Sequence, residues 1–207
     1  GNYPGVTVEK KEGTCLRGNA EFHVVDLPGT YSLTAYSQEE RVARNFIIEE
    51  KPDVVVDVID ASNLERNLYL AVQLMELGVP VVLAFNMSDV AKVRGFQFDL
   101  AEMSRLLGAP IVETVGSRGT GLDELVAAAA AAARRPAPPP PAIRYGADLE
   151  QAIERLQAKL EGQLPRADER ERRWTALKLL ENDAEVAGRV ASGDMHRLVR
   201  AEQERLS

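Results

Sequence analysis

Three short motifs carry residue types suited to polar chemistry, and each stands directly after an apolar run. Asp26-Leu27-Pro28-Gly29 follows residues 21–25, Asn86-Met87-Ser88-Asp89 follows 79–85, and Gly116-Ser117-Arg118-Gly119-Thr120-Gly121 follows 111–115. An aspartate such as Asp26 at a strand end can hold a magnesium ion, usually through water, while Gly29 lets its amide approach a phosphate closely. The Asp89 carboxylate can accept from both the N1–H and the exocyclic amine of guanine. Adenine lacks that donor pair, so the wrong base leaves the carboxylate unpaired. Asn86 is expected to tie its loop to neighbouring phosphate-binding backbone, and the amides around Ser117 to meet the base carbonyl. Thr7, in Pro4-Gly5-Val6-Thr7-Val8-Glu9, offers a hydroxyl for magnesium in a loop free to order around a third phosphate. Singly, each motif is also a common turn or helix cap; their order is what points to a guanine nucleotide.

The elements that must hold these residues follow from periodicity. Residues 54–59, 79–85 and 110–115 are short and nearly continuous in apolar character, which predicts strands covered on both faces. Helical patterns occupy 37–50, 64–77, 100–107 and 122–133, and Ser62 followed by Glu65 predicts a capping box at the second. Such alternation predicts a mostly parallel sheet with helices on both faces. Ligands of that architecture bind at the carboxyl ends of the strands, where the three motifs stand. Residues 14–17 and 21–25 flank Gly18-Asn19, so one edge is expected to be an antiparallel hairpin. The proline-rich run at 134–141 cannot continue a helix and predicts a semi-rigid spacer. Beyond it Leu149, Ile153, Leu156 and Leu160 recur at helical spacing, as do Trp174, Leu177 and Leu180. Val186, Val190 and Leu198 predict one or two further short helices in a small bundle.

Composition removes several classes. With 25 Lys+Arg against 32 Asp+Glu, the formal charge of -7 argues against a nucleic-acid binder working through a basic face. A single cysteine, Cys15, excludes an intrachain disulfide framework and a zinc site needing several thiolates. No run approaches the ~18 uninterrupted apolar residues of a membrane span, and no basic-then-apolar signal layout is present. The chain by itself reads as soluble and cytosolic.

In their order the three motifs form the guanine-nucleotide signature of GTPases, and longer stretches resemble one family specifically. Residues 1–13 resemble the first switch of the bacterial ferrous-iron transporter FeoB, as do the stretches 25–33, 60–70 and 86–89. Residues 172–181 resemble the family's helical module. The resemblance implies an α/β fold: a Ras-like P-loop GTPase G domain over 1–135, a Pro-rich linker over 136–142 and an all-α helical domain over 143–207. It implies GTP/GDP as ligand, contacted by Asp26, Gly29, Asn86, Met87, Asp89, Gly116, Ser117 and Arg118, with Mg²⁺ at Thr7 and Asp26. It also implies potassium stimulation, with K⁺ against the backbone of Gly1 and Tyr3. The partner implied is the transmembrane region of the same transporter, which places this module at the cytoplasmic face of the bacterial inner membrane. The expected function is a GTPase module regulating or driving Fe²⁺ import; the alternative is a nucleotide-responsive interaction module without effective hydrolysis. A ribosome-assembly GTPase predicts a basic appended domain, whereas this tail mixes Arg with Glu.

The sequence departs from the family pattern twice. No Gly-x-x-x-x-Gly-Lys-[Ser/Thr] run occurs. In the family it follows the first strand, so the expectation is a natural polypeptide that continues upstream of Gly1. A sheet lacking that strand is split, with unpaired backbone on two edges; if the chain does start at Gly1, a strand exchanged with a neighbour in a homo-oligomer is the expected repair. Thr30 stands after Gly29 where Ras-like proteins carry Gln, and no catalytic base is assigned. Cys15 and His23 are read as strand residues rather than iron ligands, His196 as solvated, and Asp53 and Asp57 as edge charges.

Overall fold

The computed structural model describes residues 11–17, 20–34, 36–134, 144–190 and 193–206. Thr7, Gly1, Tyr3 and the linker at 136–142 lie outside the described residues. Contacts divide the chain into two units, Gly1–Met75 with Val79–Pro141, and Glu76–Gly78 with Ala142–Ser207.

The first unit opens with the expected hairpin. Strand β1 (Lys11–Arg17) pairs antiparallel with β2 (Ala20–Asp26), setting Lys11 opposite Asp26 and Thr14 opposite His23. Helix α1 (Gln38–Glu50) then starts at a capping box in which Ser37 and Glu40 satisfy each other's backbone amides. After β3 (Val55–Asp60) the sequence placed such a box at Ser62 and Glu65, but the structure corrects this. Asp60, at the strand end, accepts from the Ser62 amide at 2.8 Å. The chain thus enters α2 (Leu64–Glu76) through a 3₁₀ turn at Ala61–Asn63, and the strand-end carboxylate takes over the capping role. The remaining elements are β4 (Val81–Asn86), α3 (Ser88–Val93), α4 (Leu100–Leu107), β5 (Ile111–Glu113) and α5 (Leu122–Ala133).

Strands β3, β4 and β5 form a parallel sheet in that order, with Asp60 beside Asn86 and Phe85 beside Glu113. Every residue from Val81 to Phe85 is buried. Since successive side chains point to opposite faces, β4 is covered on both. Strand β3 departs from that expectation: Asp57 and Ile59 are buried, while Val56 and Val58 on the other face are exposed. The same alternation overturns the reading of Asp57 as an edge charge. It shares the covered face, is 7% exposed, and one carboxylate oxygen has no hydrogen-bond partner. Burial pushes its carboxyl up to about 7. The hairpin and the three-stranded sheet are separate ladders, the split expected of the sequence.

The second unit is helical: α6 (Ala147–Glu161), α7 (Glu169–Leu180), α8 (Ala184–Arg189) and α9 (Gly193–Leu206). Ile153, Leu156 and Leu160 are buried as predicted, together with Val186, Met195 and Val199. Helix α7 is central, touching α6, α8 and α9. All six residues Trp174 to Leu179 are buried, rather than a single stripe. The charge this traps is paired: the Lys178 ammonium, 1% exposed, donates to Glu181 at 2.6 Å. Buried Glu202 accepts from Nε and Nη2 of the Arg155 guanidinium at 2.8 and 2.7 Å. His196 is exposed.

Candidate functional site

The chemistry concentrates where β4 and β5 end side by side. Beyond Asn86 the chain turns through Met87, whose φ of 57° puts a non-glycine residue in the left-handed region, and α3 begins at Ser88. Beyond β5 the chain passes Thr114 and Val115 into a 3₁₀ turn at Gly116–Arg118. Val115 and Thr120 close that turn by exchanging backbone hydrogen bonds at 3.1 and 3.3 Å. Gly119 and Gly121 take φ of 68° and 79°. At Gly121 glycine is obligatory, because a Cβ there would collide with the Glu113 carbonyl.

Four bonds staple the two loops together. The Asn86 Oδ1 accepts from the Gly116 amide at 2.9 Å, and the Thr114 hydroxyl lies 3.4 Å from the same oxygen. The Ser88 amide and hydroxyl both donate to the Thr114 carbonyl, at 3.3 and 3.2 Å, and both residues are buried. Farther out, the Lys92 ammonium donates to Glu113 at 2.8 Å. The Asn86 Oδ1 therefore binds the glycine-rich loop. Within this frame Asp89 is half-buried: Oδ1 accepts from the Val90 amide at 2.9 Å, and Oδ2 lies 3.5 Å from the Arg118 guanidinium. Ser117 is exposed at the same mouth. Asn86, Met87, Asp89, Gly116, Ser117 and Arg118 thus stand on these two neighbouring loops.

Asp26 and Gly29 stand in the loop leaving the other ladder. Asp26 ends β2 on its exposed side. The loop is fixed at its far end by Glu40, which the motifs did not single out. One oxygen of Glu40 accepts from the Ser32 hydroxyl at 2.5 Å, and the other from the Tyr36 and Ser37 amides at 2.9 and 3.2 Å. Burial pulls the Glu40 carboxyl upward, but these bonds and the one from Thr34 outweigh it and hold it below the usual value. Helix α2 adds two anchors, the Gln73 carbonyl accepting from the buried Leu33 amide at 2.5 Å and the Arg66 guanidinium 3.8 Å above the Tyr31 ring. The signal for Glu40 was in the sequence, as Ser37 three residues before a glutamate. Nothing marked Gln73 beyond a polar residue in an apolar helix. The Thr30 hydroxyl donates to the Ser32 carbonyl at 2.7 Å, within its own loop.

Among the described residues no group of three or more His, Cys, Asp and Glu could hold a metal ion. Magnesium beside a nucleotide needs only one or two protein oxygens, the rest coming from phosphate and water. A single exposed carboxylate at Asp26 fits that donor set. Cys15 is half-buried and His23, exposed on β2, lies 3.6 Å from Glu12, which suits strand positions.

A family model described as Ferrous iron transport protein B matches residues 1–129, and a FeoB cytosolic helical domain model matches 145–207. The Fe(2+) transport protein A/Fe(2+) transporter FeoB fusion protein of Porphyromonas gingivalis is 46% identical over 189 residues. That alignment takes in 90% of this chain and 22% of the relative, so the chain spans under a quarter of its length. Among solved structures, an S. thermophilus NFeoB mutant bound to GDP superposes with a TM-score of 0.87 at 37% identity, covering 100% of this chain and 80% of that one. The cytosolic domain of the T. maritima iron transporter in its GMPPNP form gives 0.81 at 33% identity, covering 100% and 84%.

Proposed function

The chain belongs to the ferrous iron transport protein B family, and from that membership we propose that it is the guanine-nucleotide-binding GTPase module of an Fe²⁺ transporter. The observation that carries the reading is the staple from Asn86 to Gly116, which holds the Asp89 carboxylate at the joint mouth of two strand-end loops. A carboxylate so held can accept the N1–H and amine of guanine, and leaves adenine without a donor pair. The relatives of known structure, captured with GDP and GMPPNP, support a switch between di- and triphosphate forms. In this reading Gly29 and the loop held by Glu40 face the terminal phosphate, and Asp26, with Thr7, holds the magnesium ion that would neutralise phosphate charge. Gly1 and Tyr3 offer backbone carbonyls to potassium. The module works on the cytoplasmic side, attached to the membrane-spanning part of the transporter, and its nucleotide state biases Fe²⁺ passage. Domain limits of 1–135 and 143–207 frame the G domain and the helical domain.

Hydrolysis is the finer half of the proposal. No side chain is assigned as base, and the hydroxyl of Thr30 is engaged in its own loop, which favours water positioning by backbone or a cation. The same observation favours the second reading, a nucleotide-responsive interaction module without turnover. Titration with labelled GDP and ADP, followed by phosphate release from GTP, separates the outcomes. Guanine-selective binding that Asp89→Asn abolishes supports the module, and phosphate release on top of it supports the GTPase. Binding without release selects the interaction module, and equal affinity for GDP and ADP refutes both.

A further inference from the structure

We infer that Arg118 is an internal competitor for the guanine carboxylate, occupying Asp89 when no base is present and lowering the affinity of the site for guanine. The inference rests on the guanine reading of Asp89 and deepens it. The Arg118 guanidinium nitrogen Nη2 lies 3.5 Å from Asp89 Oδ2, with the Arg118 side chain 70% exposed and that of Asp89 34%. The other carboxylate oxygen accepts from the Val90 amide at 2.9 Å. Oδ1 keeps its backbone donor and has a lone pair for a second N–H, and Oδ2, which faces the guanidinium, is the oxygen at which cation and incoming base compete.

The two donors are chemically similar, although in the structure a single guanidinium nitrogen, Nη2, faces a single carboxylate oxygen. A guanidinium is planar and presents parallel N–H groups that match a carboxylate. The N1–H and exocyclic amine of guanine sit on one amidine-like edge and present the same pair. Adenine offers only its exocyclic amine, beside an N1 lone pair that the carboxylate repels, so it competes with the cation poorly. The backbone around Arg118 keeps the competitor within reach: its carrier is the 3₁₀ turn closed by Val115 and Thr120, and that turn is stapled to Asn86 through Gly116. The side chain itself is largely solvated, so it can swing away when the base enters without leaving a buried charge behind.

Exposed ion pairs contribute about 0.2–1 kcal/mol, which corresponds to roughly 1.4- to 5-fold in affinity. The test is a titration of the full chain with neutral guanosine, read by ¹⁵N NMR at the Asp89 and Gly116 amides, with adenosine as control. A neutral nucleoside keeps phosphate attraction to Arg118 out of the measurement. Arg118→Gln is expected to bind guanosine about two- to fivefold more tightly than the unaltered chain, the gain shrinking at high salt as the competing pair is screened. Arg118→Lys, which keeps the charge and loses the fork, falls between them. Equal or weaker binding by Arg118→Gln, with guanosine still preferred over adenosine, overturns the competitor role alone. No preference for guanosine in any of the three proteins overturns the guanine reading as well.

Discussion

The buried carboxyl of Asp57 makes stability itself pH-dependent in a direction opposite to most aspartates. It lies on the covered face of β3 with Ile59, 7% exposed, and one oxygen finds no donor. Burial raises it from 3.8 to about 7. The unfolded chain ionises near 3.8 while the folded one stays protonated, so stability is full below that value and falls as pH rises toward about 7. The total loss is on the order of 4 kcal/mol, of which roughly 3 kcal/mol falls between about pH 5 and pH 8. Asp57→Asn removes the titration while keeping the shape. Its first unit should therefore lose far less stability over that interval and exceed the unaltered protein at the alkaline end. Urea unfolding at the two pH values measures this, with hydrogen exchange of the β4 amides reporting the first unit. The single tryptophan, Trp174, lies in the second unit and serves as an internal control that should not shift. If both proteins lose equal stability between the two pH values, Asp57 is ionised in the native state and the argument from burial fails.

Three further substitutions probe the loops. Gly121→Ala meets both a left-handed backbone and the Glu113 carbonyl, so it should cost about 3 kcal/mol or more, whereas Gly119→Ala, with only a distant Leu122 contact, should cost about 1 kcal/mol. Thermal denaturation that ranks the two alike refutes the assignment of the collision. Glu40→Gln should speed hydrogen exchange at the Tyr36 and Ser37 amides at neutral pH. Because hydrogen bonding holds the native carboxyl below its ordinary 4.5, the Glu40 contribution is present above that value and is lost as pH falls through the lower native one, so the two proteins should converge in acid. Exchange rates that differ equally at neutral and acid pH count against it.

What was legible in the sequence was whatever backbone period or loop chemistry dictates. The apolar runs became β3, β4 and β5, and the motifs after β4 and β5 met because parallel neighbours end on the same side. The helix after β3 starts at Leu64 as its period implied, but its cap was misassigned because two side-chain oxygens competed there. Asp60 ends its strand within reach of the Ser62 amide, and a contest between neighbouring oxygens depends on geometry rather than residue type. The burial of Trp174 to Leu179 on all sides was hidden by the arginines and glutamates around it. Arg173 is neutralised by Glu150 through two bonds at 2.8 and 2.9 Å, and Lys178 by Glu181, so the helix enters a core that its composition argues against. Gln73 and Glu202 were illegible for the same reason: a buried polar group is identified by its partner, and the partners are 40 and 47 residues away.

These contrasts bear on how the proposed base site would work. Asn86, Ser88 and Thr114 hold the two loops through bonds that exist before any base arrives, the Ser88–Thr114 one buried and the Asn86–Gly116 one at the surface. The entropy of ordering the loops is therefore met during folding, and little of it remains to oppose binding. Asp89 and Arg118 stand outside that frame, partly solvated and joined by one pair that water can replace. Affinity can then be adjusted at Arg118 without disturbing the frame, because an exposed pair contributes little to folding. Substitution at Asn86 has no such freedom: it would leave the Gly116 amide without its acceptor and loosen both loops together. The separation predicts which changes a functional module of this kind tolerates: those that alter the strength of the exchangeable pair, and not those that alter the staple.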